Sequence, residues 1–295
     1  MVGAQGAQAV TAVAGGRGTG FRVVRFTLLI VLVVVVLIPI YVLLATSFKP
    51  LTEADPGQAW NLPRTWTTEA WRVAWEKLAP GLWNSVLLAV PGSLLSCAFG
   101  SMNGYVLSKW RFPGADVLFT LFLFGMFIPY QGVMIPLVKL MVWLNEQTGL
   151  DGVFYGGIPG LVLAHVVYGI PICTLIFRNY YVTIPDELIE ASRVDGAGML
   201  RAYWSVVLPV SWPAIAVVII WQFTSLWNDF LFAVFITGPQ SWPTTVMLNN
   251  IAGAQATPYS QQMAAAVLAS IPTMLIYVLL GRFFMRGLMA GALKG

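Results

Sequence analysis

The residues with the most chemical capacity crowd into one stretch, Ile184–Pro209, reading IPDELIEASRVDGAGMLRAYWSVVLP. Asp186, Glu187, Glu190, Arg193, Asp195 and Arg201 fall within sixteen residues of a chain that is 58% hydrophobic and only 9% charged. They alternate with Ala191, Ser192, Gly196, Ala197 and Gly198. Charges at this density can pair across an interface, and small residues let another backbone come close. A second set is scattered through apolar sequence: Asn84, Ser93, Ser96, Asn103, Tyr130, Gln131, His165, Gln222, Trp227, Asn228 and Asp229. Such groups hydrogen-bond either a polar solute or a neighbouring helix. Helix–helix bonding is the simpler role for the serines, and a packed, hydrogen-bonded ring for His165, the one histidine. Neither set has the makings of an enzyme. There are no paired carboxylates, no nucleophile–base constellation and no metal-ligand spacing, and no GxxxxGK[ST] occurs.

The elements that carry these residues are apolar. A mean hydropathy of +0.77 lies far from a soluble globule, and 295 residues leave room for several spans of about 20 residues each. Six apolar runs stand out, at roughly 24–46, 84–107, 117–143, 158–177, 210–233 and 263–284. Lipid offers no hydrogen-bond partners, so each run is expected to be a helix, kinked where Pro39, Pro91, Pro129, Pro136, Pro171, Pro213 or Pro272 interrupts it. Gly100 and Gly104 have the small-xxx-small spacing of a close helix contact. Residues 1–20 lack any hydrophobic period and read as disordered, with 21–295 forming one six-helix domain. The first apolar run is too long for a signal peptide and reads as an uncleaved anchor. Cys97 and Cys173 both lie in apolar runs and read as buried thiols.

Orientation follows from the basic residues. Arg17, Arg22, Arg25, Lys109, Arg111, Arg178, Arg193, Arg201, Arg282, Arg286 and Lys294 fall on the N-terminal side of the membrane. Lys49, Arg64, Arg72 and Lys77 share one loop on the other side, with Lys139 near the far end of the third run. The excess makes the N-terminal side cytoplasmic, with both termini inside. The net charge of +4 reports these loops and not a nucleic-acid surface. Trp60, Trp66, Trp71, Trp75 and Trp83 cluster in and beside the basic outer loop, as interfacial anchors or as a surface for an external partner.

The charged stretch then becomes a cytoplasmic loop, 183–209, between the fourth and fifth runs. Thr183 and Pro185 suit the start of a helix, and Asp186 and Glu187 complement its dipole. Gly196 ends it after about two turns, and residues 199–208 can be helical again. A helix so short is stable only when packed. Its surface suits equally a peg for another protein's cleft and an amphipathic segment lying on the inner leaflet.

EASRVDGAGMLRAYWSVVLP resembles the EAA loop of permease subunits of bacterial ABC importers. The family pattern is Glu-Ala-Ala, a Gly four residues on, and a later Leu-Pro. It falls here on Glu190, Ala191, Ser192, Gly196, Leu208 and Pro209, with Ser192 replacing the second Ala. Asp195, Gly196 and Ala197 look like the carbohydrate branch. WNDF, Trp227 to Phe230, is similar to a segment of sugar permeases. RGLMAGALKG, Arg286 to Gly295, resembles the tail of the maltose-type second permease subunit. YSQQMAAAVLASIPTMLIYVLLGRFFMRGL looks most like permeases for glucose or mannose.

The resemblance implies an all-α, six-span type I importer permease in the plasma membrane of a bacterium or archaeon. It implies a heterodimer with a second permease, two cytoplasmic ATPase subunits that bind ATP and Mg, and an extracytoplasmic solute-binding protein. The chain itself is then non-catalytic and holds no cofactor. Glu190, Ala191, Ser192, Asp195, Gly196, Ala197, Leu208 and Pro209 become the ATPase-coupling segment. Trp227, Asn228, Asp229, Tyr130, Gln131, Asn84 and Gln222 become candidates for the translocation path. Asp229 is expected to be solvated or to pair with a basic residue of a neighbouring subunit. The alternatives are an importer of a polyol, glycerol phosphate or polyamine, and an ATPase-independent channel or secondary transporter. Against the last stands the near absence of acidic residues from the spans.

Overall fold

The computed structural model describes residues 18–53, 56–110, 112–254 and 257–292, with side chains given for 21–281 and 283 apart from Pro56. Of the terminus 1–20 expected to be disordered, residues 1–17 lie outside that description, as do Arg111, Lys294 and the side chains of Arg282 and Arg286, while residues 18–20 are helical instead and begin the first helix. Every regular element among the described residues is helical. The apolar runs yield α1 (Gly18–Ser47), α2 (Glu69–Lys109), α3 (Ala115–Met126), α4 (Tyr130–Thr148), α5 (Ile158–Tyr181), α9 (Trp212–Trp227) and α12 (Tyr259–Ala292). Between them lie the short helices α6 (Asp186–Val194), α7 (Met199–Ala202), α8 (Leu208–Val210), α10 (Leu231–Ile236) and α11 (Thr244–Gly253). Four helices are long and apolar enough to cross a membrane on their own. Two bent pairs bring the total to six crossings when each pair counts as one.

The bent pairs correct two expectations. The run 117–143 is not one helix. It is α3 and α4, meeting at 96° across Phe127–Pro129. Pro129 has no N–H to continue the ladder and pushes Ile128 towards extended backbone, so the chain stops and restarts instead of kinking. The run 210–233 also fails as a single helix. α9 ends at Trp227, and α10 begins after Asn228, Asp229 and Phe230. At its other end α9 is set 79° from the segment Met199–Val210, which includes one π-helical turn at Tyr203–Val207.

The chain divides into two compact units. In the first, residues 1–71 with 258–264, the segment after α1 folds back on that helix's end. Lys49 is buried and donates to the carbonyl of Gln58 at 2.6 Å, Tyr41 donates to that of Trp60 at 3.0 Å, and Phe48 packs on the rings of Trp66 and Trp71. In the second unit, residues 72–257 with 265–295, α5 is the central helix. It packs on α2, α3, α9 and α10. One apolar cluster joins Leu88, Leu161, Phe223, Leu226, Trp227 and Phe232. Another joins Cys97, Tyr105, Cys173, Phe177, Tyr181, Ile189, Tyr203 and Val218.

The α2–α5 contact brings backbone close to backbone, and two glycines make it. A Cβ on Gly104 would lie 2.7 Å from Phe177 Cβ and 2.9 Å from the Arg178 nitrogen. A Cβ on Gly100 would lie 2.9 Å from the Cys173 carbonyl carbon. Backbone cannot retreat from such a clash as a flexible side chain can. Gly104→Leu and Gly100→Leu are therefore expected to cost at least the ~1–3 kcal/mol typical of overpacking. Gly281→Ala, where a Cβ meets nothing within 4 Å, is the matched control. Thermal unfolding in detergent, with the monodisperse yield, separates them.

Candidate functional site

The segment around α6 is built from local rules. Pro185 sits before α6 with extended backbone, and Asp186 and Glu187 occupy the first turn. Thr183 does not cap the helix as expected. Its hydroxyl donates back to the carbonyl of Tyr180 at 2.7 Å, and no side chain caps α6 at Pro185. The C-terminus closes as the sequence predicts, and in a Schellman motif. Gly196 has φ +81°, its N–H reaches the carbonyl of Arg193 at 3.0 Å, and the Ala197 N–H reaches that of Ser192 at 2.9 Å. Ile189 and Ser192, three apart, face inward beneath α6, next to Ile184, Tyr105 and Tyr203. Glu187, Leu188, Glu190, Ala191, Arg193, Val194 and Asp195 face outward, with Val194 89% exposed. Of the eight expected coupling residues, Glu190, Ala191, Asp195, Gly196 and Pro209 are exposed. Ser192 is buried, its hydroxyl returned to the carbonyl of Ile189 at 2.7 Å, while Ala197 and Leu208 are half-buried. Space is open around Gly196, since a Cβ there would meet nothing within 4 Å.

The second candidate region is a cleft of about 730 Å³ at the break between α9 and α10. α4 contributes Tyr130 and Gln131. α5 contributes His165 and Tyr168, and α9 contributes Trp221, Gln222 and Ser225. Asn228 and Asp229 come from the break itself. Asp229 is the organising residue. Its Oδ1 accepts from the Phe232 N–H at 3.3 Å and its Oδ2 from the Ala233 N–H at 3.0 Å, which supplies partners to the first turn of α10. Oδ2 also lies 3.2 Å from His165 Nε2. That nitrogen makes no hydrogen bond of good geometry, so the pair is a close polar contact and not a bond. The Asp229 side chain, 10% exposed, is thus not freely solvated, and among the described residues its carboxylate meets two backbone N–H groups and the His165 ring. The Phe232 ring packs on His165, Tyr130 and Tyr168, at centroid distances of 5.2, 5.7 and 5.2 Å. Gln222 is buried against α2 and α5. Its Nε2 donates to Ser96 Oγ at 3.2 Å and to the carbonyl of His165 at 3.4 Å.

Five of the seven expected path residues therefore converge: Tyr130, Gln131, Gln222, Asn228 and Asp229. Two do not. Trp227 is 2% exposed, stacks on Phe223 and donates its indole N–H to the carbonyl of Ala269 at 2.9 Å, which makes it a core residue. Asn84 spends its amide on the carbonyls of Gln240 and Trp242, at 3.2 and 3.1 Å, and pins the loop before α11. Tyr168, Trp221 and Ser225 line the cleft without having been singled out. Trp221 and Ser225 share a four-residue spacing with each other, a helical signal that apolar surroundings hide.

Comparison with known proteins bears on both regions at once. Residues 96–289 match the family described as binding-protein-dependent transport system inner membrane component. The chain belongs to this family. The matched residues enclose the α6 segment and the whole cleft. A probable ABC transporter permease protein of Pyrococcus horikoshii is 46% identical over 179 residues, covering 60% of this chain and 62% of that protein. The glucose import system permease protein GlcU of Saccharolobus solfataricus is 32% identical over 274 residues, covering 90% of this chain and 93% of that one. Among solved structures, a subunit of a bacterial ABC transporter involved in import of the acidic polysaccharide alginate superposes with a TM-score of 0.75. It covers 90% of this chain and 96% of its own, at 24% identity. The fold is that of ABC importer permeases, and the protein is a multi-pass membrane component of a transport system.

Because Asp229 serves two backbone N–H groups, this family member is expected to lose about 1–3 kcal/mol on Asp229→Ala, the cost of leaving buried donors unpaired. Asp229→Asn, which retains an acceptor oxygen, is expected to lose less than half of that. Chemical or thermal unfolding of the purified protein in detergent reads the difference.

Proposed function

We propose that this chain is the permease subunit of an ATP-driven, binding-protein-dependent carbohydrate importer. It forms the translocation path with a second permease and takes its power from two ATPase subunits on the side bearing α6. That side is the cytoplasm by the excess of basic residues, which puts both termini inside. The chain binds no nucleotide itself. ATP and Mg belong to the ATPase partners, and an extracytoplasmic binding protein delivers the solute.

The observation that carries this reading is α6. It is a short helix closed by a Schellman turn, packed on the protein through Ile189 and Ser192, and carrying Glu190, Ala191, Asp195 and Gly196 on its outward face. An isolated helix of nine residues has no stability of its own, so packing from beneath gives a rigid knob instead of a loose loop. A rigid knob of small and charged residues fits the cleft of a partner and can pass force without first being stretched.

Carbohydrate as the solute rests on the cleft and on kinship. Amides at Gln131 and Asn228, hydroxyls at Tyr130 and Ser225, and the rings of Trp221 and Phe230 offer hydrogen bonds and flat apolar faces together. Sugars present the same two kinds of surface. Relatives that match about nine-tenths of this chain include permeases for glucose, for diacetylchitobiose and for melibiose, raffinose and stachyose, and glucose, the smallest of these, is the first solute to test.

Two measurements check the proposal. A tagged chain drawn gently from its membrane should bring a P-loop ATPase and a second six-span protein. Glu190→Arg on the exposed face, which leaves the left-handed Gly196 turn untouched, should cut that recovery by about tenfold or more, as expected for an interface hot spot, and Gly196→Arg, which meets no neighbour but strains that turn, should cut it at least as far. A chain recovered alone would rule the coupling reading out. With the assembled transporter in proteoliposomes, Asn228→Ala and Ser225→Ala should lower labelled-glucose uptake roughly five- to tenfold through lost hydrogen bonds. Unchanged uptake in both would remove the cleft from the path.

A further inference from the structure

Ser101, Tyr105 and Lys109 follow one another at four-residue intervals on α2 and so lie along one face of it. Each makes a polar contact with the elbow that contains α6 or with its buried support. Ser101 Oγ is 2.6 Å from the Tyr181 hydroxyl and 2.8 Å from the Tyr203 hydroxyl, a buried group of hydroxyls that Ser211 extends beside Tyr181. Tyr105 donates its hydroxyl to the carbonyl of Met199 at 3.3 Å, and its ring lies 5.3 Å from that of Tyr203. Lys109 Nζ donates to the carbonyl of Ile184 at 2.5 Å and to Asp186 Oδ1 at 2.7 Å. The Lys109 side chain is only 4% exposed.

These contacts bracket α6. Ile184 and Asp186 stand at its entry, and Met199 and Tyr203 follow its exit. The helix is therefore gripped at both ends by one face of α2, to which no short stretch of chain connects it. An ammonium group this buried cannot leave its acceptors cheaply, and a buried, connected hydroxyl network resists being pulled apart. Interleaved with these residues on α2, Gly104 and Gly100 press against α5, and about a turn beyond them Ser96 receives the amide of Gln222 at the cleft. One helix thus runs from the grip on α6 to the polar lining of the cleft.

We propose that Ser101, Tyr105 and Lys109 are positioning residues that make α2 move as one body with α6. Displacement of the coupling segment is then delivered to the second span directly, and not only along the chain into α5 and α9. This rests on α6 being the ATPase contact, as argued under Proposed function.

The test uses the assembled transporter, with its ATPases and second permease, in lipid nanodiscs. Spin labels are attached through Leu188→Cys on α6, which is not among the coupling residues, and Met102→Cys on α2, both exposed positions outside the α2–α6 contacts. Pulsed electron spin resonance compares the nucleotide-free complex with the complex trapped by ATP and vanadate. With the three residues intact, the label distance and its width stay the same in both states. In Ser101→Ala/Tyr105→Phe, trapping shifts the distance by about 2 Å or more, the scale of a helix sliding past its neighbour. Tyr105→Phe alone, which keeps the ring, shifts it in the same direction and guards against a double variant that fails to fold. Lys109→Met behaves like the double variant, and Lys109→Arg, which keeps two donors, like the unaltered protein. A merely structural role would lower the unfolding temperature without a nucleotide-dependent shift. The inference is overturned if trapping already separates the labels in the unaltered protein, or if the folded double variant keeps one distance in both states. Absence of ATPases from the unaltered complex would instead overturn the coupling reading, and this inference with it.

Discussion

The near-contact of α2 and α5 at Gly100 and Gly104 is the constraint on which the second unit's geometry depends. Backbone meets backbone there because neither glycine has a Cβ. That proximity brings Ser101, Tyr105 and Lys109 within reach of Tyr181, Ile184 and Asp186. It also brings Ser96 within reach of Gln222 on α9. Inside a membrane there is no hydrophobic driving force between helices, so close packing and a few buried hydrogen bonds must hold them together. Here the two work jointly. Small residues bring the helices close, and the polar contacts fix how they may slide.

Around that fixed pair, irregularity is confined to places with an identifiable cause. Pro129 separates α3 from α4, and the Asn228–Phe230 interruption separates α9 from α10. Each break frees backbone groups that apolar surroundings would not satisfy. At the second break the Asp229 carboxylate takes up two of them. The cleft opens there because broken helices leave room, and broken backbone is tolerable where it lines a polar cavity.

Much of this was legible in sequence, and the exceptions have physical reasons. α6 could be read because its boundaries are set locally by Pro185 and Gly196. The Gly100–Gly104 contact could be read because a four-residue spacing places both on one face. The α3–α4 corner could not, since a proline in an apolar run is compatible with a kink, and only the packing decides between kink and break. The cap expected from Thr183 failed because its hydroxyl has a nearer acceptor in the carbonyl of Tyr180. Trp227 and Asn228 are adjacent in a segment read as one unit, yet one is core and the other lines the cleft. Neighbours in sequence diverge wherever a helix ends between them. Ser101, Tyr105 and Lys109 looked like an ordinary serine, tyrosine and lysine, because their partners lie 75 to 102 residues away.

The way Asp229 is held has an electrostatic consequence for whatever moves past it. Its carboxylate oxygens accept from two backbone N–H groups of the same chain, and the His165 ring nearby touches it without bonding. On the path proposed above, a solute therefore meets a carboxylate whose oxygens are already engaged by oriented backbone dipoles. A neutral molecule can exchange its water shell for those dipoles and give them up again with no counter-ion to collect or release. Its passage then depends little on the membrane voltage, and the work of transport has to come from moving helices.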